Sequence, residues 1–103
     1  MRNDERFEIE RAFDLLPHVV GASWTAVWFR MQGNKKPTRE EFREKTLEYL
    51  KMMEPIFEIY PKEEDFEAIR KYIEFRKKQE YEKIISGENK EIEKRYERYV
   101  DYG

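Results

Sequence analysis

Cysteine is absent from this 103-residue chain, and histidine occurs once, at position 18. The first absence excludes thiolate catalysis, disulfide frameworks and cysteine-based zinc sites. The second excludes a multi-histidine metal centre within one chain, so no metal or other cofactor is expected. Serine is nearly as scarce, with only Ser23 and Ser86. The one acidic neighbour of His18 is Asp14, four positions earlier across Pro17. A general base or activated nucleophile needs a hydroxyl and an orienting group close by, and this setting offers neither. His18 is expected to make a local hydrogen bond near a helix junction, and no catalytic residue is assigned.

Long apolar runs are missing as well. The opening MRNDERFEIER lacks the apolar stretch of a secretory signal. The longest apolar region, residues 19–31, is interrupted by Gly21, Ser23, Thr25 and Arg30 and is too short to span a bilayer. The expected compartment is therefore the cytoplasm, with no membrane partner. No charge of one sign dominates either, since 21 basic residues face 23 acidic ones. A strong excess of base would point to nucleic acid, and a strong excess of acid to its mimicry. Gln (2) and Asn (3) are rare beside 19 Glu, a bias shared with the ion-pair-rich surfaces of thermophile proteins.

Glycine and proline number four each, and they punctuate the chain. Between them Glu, Lys, Arg, Leu and Met prevail, all favourable to helix. The length suits one domain, residues 1–103, with a modest core. Five helices are expected. The first covers residues 5–16, with Phe7, Ile9, Ala12, Phe13 and Leu16 on one face. The second covers residues 18–32, where Val20, Trp24, Val27, Trp28 and Met31 follow helical spacing. Val19, Ala22, Ala26 and Phe29 occupy its other sides, and a helix apolar all round is expected to be buried. Its residues also suit a strand, but no second convincing strand exists to pair with it.

Gly33 stops the second helix, and Thr38-Arg39-Glu40-Glu41 opens the third with a capping box. Phe42, Thr46, Leu47, Leu50 and Met53 trace the buried face of that helix, which Pro55 ends or kinks. Residues 53–61 form a turn or short apolar connection. A fourth helix is expected to start at Pro61 with the acidic first turn Glu63-Glu64-Asp65. Its stretch EFRKKQE, residues 74–80, has Phe75 as its only apolar residue and is expected to lie on the surface or project. Asn89 caps a fifth helix, residues 90–102, which aligns Ile92, Tyr96, Tyr99 and Val100. The expected fold is all-α, an irregular helical bundle around a buried central helix, residues 18–32.

Catalytic templates fail against this pattern. A phosphate-binding loop ending at Gly33 needs a glycine at position 28, where Trp28 stands just before FRMQGNKKPT. Helical pyrophosphohydrolases pair two acidic motifs, of which only the spacing Glu41 to Glu44 is present. Two surfaces remain. The C-terminal end carries more aromatics than one inward face needs, and interfaces favour Tyr and Phe. Phe75, Tyr81, Ile84, Ile85, Tyr96 and Tyr99 are the expected contacts to another protein or a second copy. The alternative is a nucleic-acid-binding accessory role through the acid-free loop with Arg30, Lys35, Lys36 and Arg39. Arg70, Lys71, Lys77 and Lys78 would widen that patch. A non-catalytic adaptor, inhibitor or regulator that self-associates is the expected function, and the enzyme class is set aside.

Overall fold

A computed structural model of the chain describes residues 3–16, 21–55 and 67–102. Its elements are all helical: α1 (Asn3–Leu16), α2 (Ala22–Met31), α3 (Arg39–Met52), α4 (Glu67–Ser86) and α5 (Lys90–Tyr102). No strand occurs among the described residues. The junction at Pro17 and His18, the connection at 56–61 and the acidic turn at 63–65 lie outside the described residues.

Local chemistry sets the helix ends. Thr38 Oγ1 accepts the Glu41 amide at 3.1 Å, and Glu41 Oε1 accepts the Thr38 amide at 3.1 Å, closing the expected capping box. Asn89 Oδ1 accepts the amides of Glu91 and Ile92, each at 3.2 Å, which starts α5. Gly33 and Gly87 end α2 and α4 with φ of 74° and 80°, a region that side-chain-bearing residues rarely enter.

Two apolar clusters hold the helices together. The larger joins Ala22 and Phe29 of α2, Phe42 and Leu50 of α3, Ile84 of α4, and Ile92 and Tyr99 of α5. The smaller joins Ile9 and Phe13 of α1 with Ile73 of α4. Thus α4 packs α1 along its first half and α3 along its second. Helices α2 and α3 run antiparallel and close. A Cβ on Gly21 would sit 3.0 Å from Thr46 Cγ2 and 3.3 Å from Leu50. Thr25 donates to the Gly21 carbonyl at 2.7 Å. Thr46 directs its one proton to the Phe42 carbonyl at 2.8 Å or to Thr25 Oγ1 at 3.1 Å.

Between the two clusters α4 crosses a polar layer, and here the structure departs from the expectation for residues 74–80. Lys77 and Glu80 are buried instead of projecting. Arg76 reaches Glu80 at 3.2 Å and Asp14 at 3.6 Å, and its guanidinium lies 5.6 Å from the Phe13 ring centre. Lys77 bonds Glu74 at 2.8 Å. Only Lys77 and Glu80 of the run are covered, while Glu74, Phe75 and Lys78 stay exposed; the helix supplies the counter-charges, and α1 packs against Arg76. Arg76 Nε has no hydrogen-bond partner among the described residues, an arrangement that lowers stability.

The second departure concerns α2. It buries Ala22, Thr25 and Phe29 against α3 and α5. Trp24, Val27 and Met31 remain 56%, 41% and 78% exposed. The expected central helix is therefore covered on one side only among the described residues. Gly21, Ala22 and Thr25 lie on the buried side, where their small size allows the close approach to α3.

Candidate contact surface

Trp24, Val27 and Met31 stand at i, i+3 and i+7 and so share one outward stripe of α2. Contacts fix what flanks it. On one side Trp28 receives Lys45 of α3, with Nζ 3.9 Å from the ring centre. A shallow hollow of about 280 Å³ opens there, lined by Trp28, Gln32 and Asn34 with Glu41, Glu44, Glu48 and Lys45, which bonds Glu48 at 3.0 Å. On the other side Arg30 lies over the Tyr99 ring of α5 at 5.7 Å. The stripe thus runs between an acidic shoulder and a basic one.

The expected protein contacts divide. Ile84 and Tyr99 have 0% and 3% exposure and belong to the core, so a partner docking on the folded chain cannot reach them. Tyr81 and Tyr96 are half-buried, and their hydroxyls serve the fold. Tyr81 donates to Glu54 Oε1 at 2.8 Å, and Tyr96 to the Pro37 carbonyl at 2.9 Å. Burial first, then the Glu54 carboxylate, push the Tyr81 hydroxyl well above its ordinary value. Tyr99 likewise donates to the Asn34 carbonyl and pins the loop after α2. These three tyrosines thus serve the fold: Tyr81 ties α4 to a carboxylate after α3, and Tyr96 and Tyr99 tie α5 to loop carbonyls. Phe75 and Ile85 alone of the six are exposed, and they stand ten residues apart on α4.

The basic residues divide too. Arg30, Lys35, Lys36, Arg70 and Lys78 are exposed. Lys77, on α4, is buried and paired with Glu74. Lys71 meets Glu67 at 3.5 Å. Arg39 bonds Glu93 at 2.6 Å, approaches Glu97 at 3.6 Å and covers the Tyr96 ring at 4.8 Å. Of the first-turn amides of α3, Thr38 Oγ1 accepts that of Glu41, and Glu41 brings a carboxylate of its own to this helix start. Three of the eight expected cationic contacts, Arg39, Lys71 and Lys77, thus already face carboxylates.

Glu93 is the main electrostatic tie between α3 and α5, held by Arg43 at 2.7 Å and by Arg39. Burial pushes its carboxyl up, but the hydrogen bonds from Arg43 and Arg39 outweigh that and hold it below the usual value. A carboxyl depressed in the folded state adds stability above its unfolded value, and that stability is lost as pH falls through the folded value. The urea midpoint should therefore decline once pH drops below about 4. Glu93→Gln should cost about 1 kcal/mol at neutral pH, discounted because Arg39 is half exposed. It should also flatten the acid limb of the stability profile.

Sequence reasoning missed the α2 stripe because it counted apolar positions without asking which side could be approached. A signal was present. The small residues gather at 21, 22 and 25, while the bulky Trp24 and Met31 sit opposite. Among the described residues no cluster of three or more metal-ligating side chains forms, and no helix is long and apolar enough to cross a membrane. The chain matches no protein-family model, no curated protein and no solved structure. What stands is a class: an all-helical protein whose second helix turns an apolar face outward.

Proposed function

We propose that this chain is a non-catalytic binding protein that acts through protein contacts, with Trp24, Val27 and Met31 as the centre of its contact surface. One observation carries the proposal. Three large apolar side chains stand in register on a helix whose other side is buried, with charged residues along both flanks. Apolar patches rimmed by polar residues mark interaction sites, and Trp and Met are among the residues enriched in interface cores. An adaptor, inhibitor or regulator would use such a face, and cytoplasm is the compartment that goes with this proposal. Nucleic acid has weaker support as partner, since Arg39, Lys71 and Lys77 already face carboxylates.

The test is site-specific photo-crosslinking in the native cell, with benzoylphenylalanine at position 27, 75 or 85. Protein adducts from position 27 are expected. Adducts confined to positions 75 and 85 would transfer the contact to the outer face of α4. Adducts to nucleic acid, lost on nuclease treatment, would replace the proposal by the basic-loop alternative.

A further inference from the structure

We infer that the occupant of the α2 face is a second copy of this chain, packed so that the two α2 helices run parallel about a two-fold axis. This rests on the proposal that the face is a contact surface, and it adds the partner and its orientation. The spacing of Trp24, Val27 and Met31, three then four residues, is that of successive seam positions in a two-stranded coiled coil. The stripe alone cannot supply the roughly 800 Å² per partner that a stable interface buries. Neighbouring helices must take part, and their charges then choose the orientation.

The geometry of that choice is simple. A two-fold axis along α2 places the α3 flank of one copy against the α5 flank of the other at the same height. A two-fold axis across α2 places α3 against α3. Because Phe29 stacks on Phe42 and Thr46 meets Thr25, the height of Arg30 on α2 corresponds to Glu41 of α3, with Glu44 about one turn further along. The parallel arrangement therefore brings Arg30 of each copy opposite Glu41 and Glu44 of the other, making two symmetric acid–base contacts. The antiparallel one sets this flank, three glutamates with Lys45 among them, face to face with its own copy, so its excess of like charge repels. The glutamate-rich hollow beside Trp28 and Arg30 beyond the stripe face each other across the parallel axis.

The experiment uses the purified full chain. Sedimentation equilibrium should give a mass twice that of the chain. Since the chain has no cysteine, Met31→Cys or Val27→Cys introduces a single thiol. Both should link to their own copies under air oxidation, because both positions lie on the axis. Arg30→Glu or Glu44→Arg alone should raise the dimer Kd on the order of tenfold or more, and the double variant should return it to within a few-fold. Glu44 is chosen over Glu41 because Glu41 closes the α3 cap. Linking at position 27 without linking at position 31 would overturn the parallel orientation. A chain-sized mass at every concentration would overturn the second copy. In that case protein adducts from position 27 would keep the contact-surface proposal standing, and their absence would remove it as well.

Discussion

Phe42→Ala should cost about 3–5 kcal/mol, the usual loss when a buried phenylalanine is cut to alanine. Phe42 is fully buried at the crossing of α2, α3 and α5. Its ring centre lies 5.6 Å from Tyr96, 6.1 Å from Phe29 and 6.3 Å from Tyr99. The cavity left behind could not close easily. Tyr96 and Tyr99 are tied to the carbonyls of Pro37 and Asn34, so neither ring is free to move in. A small domain has about 5–15 kcal/mol of stability in all, so a large fraction of the chain should unfold at moderate urea. Phe75→Ala, on the outer face of α4, should change the midpoint by no more than about 0.5 kcal/mol. Urea denaturation followed by circular dichroism checks both, and similar losses for the two would contradict the assignment of the core.

What the sequence disclosed, and what it withheld, follows from the range of the forces involved. The all-α class, the capping box at Thr38 and Glu41, the Asn89 cap and the stops at Gly33 and Gly87 were legible. Each is decided within a few residues. The buried faces of α3 and α5 were legible too, because their apolar residues repeat at one angle. The interior of α4 was not. Nothing local says that Lys77 and Glu80 are covered, or that α1 arrives to pack Phe13 beside Arg76. Nor did apolar content say which side of α2 would be left open. A helix apolar all round is buried only if neighbours reach every side. Here the neighbours are α3 and α5, drawn in where Gly21, Ala22 and Thr25 let them come close. The six C-terminal contact positions were chosen on composition, which cannot tell a tyrosine that binds a partner from one that binds a loop carbonyl.

Trp24→Glu combined with Met31→Glu should abolish protein crosslinking from position 27 and self-association together, while the fold persists. Both side chains are more than half exposed, so their replacement removes little buried apolar area from the monomer. In the assembled state the same change sets two carboxylates per copy against an apolar partner surface. Burying them there without counter-charge is prohibitive. Helicity should be retained, since glutamate is a good helix former and neither position touches the buried side of α2. The expected separation is complete loss of binding with nearly full retention of stability, the reverse of Phe42→Ala, which attacks the fold first.

The measurement that tests the central claim most directly is the urea midpoint of this double variant, taken at a dilution where the unaltered chain is monomeric. If the α2 stripe is an outward contact face, the midpoint stays within about 0.5 kcal/mol of the unaltered chain. A loss of several kcal/mol would show that Trp24 and Met31 belong to the core, and would contradict the contact surface and everything built on it.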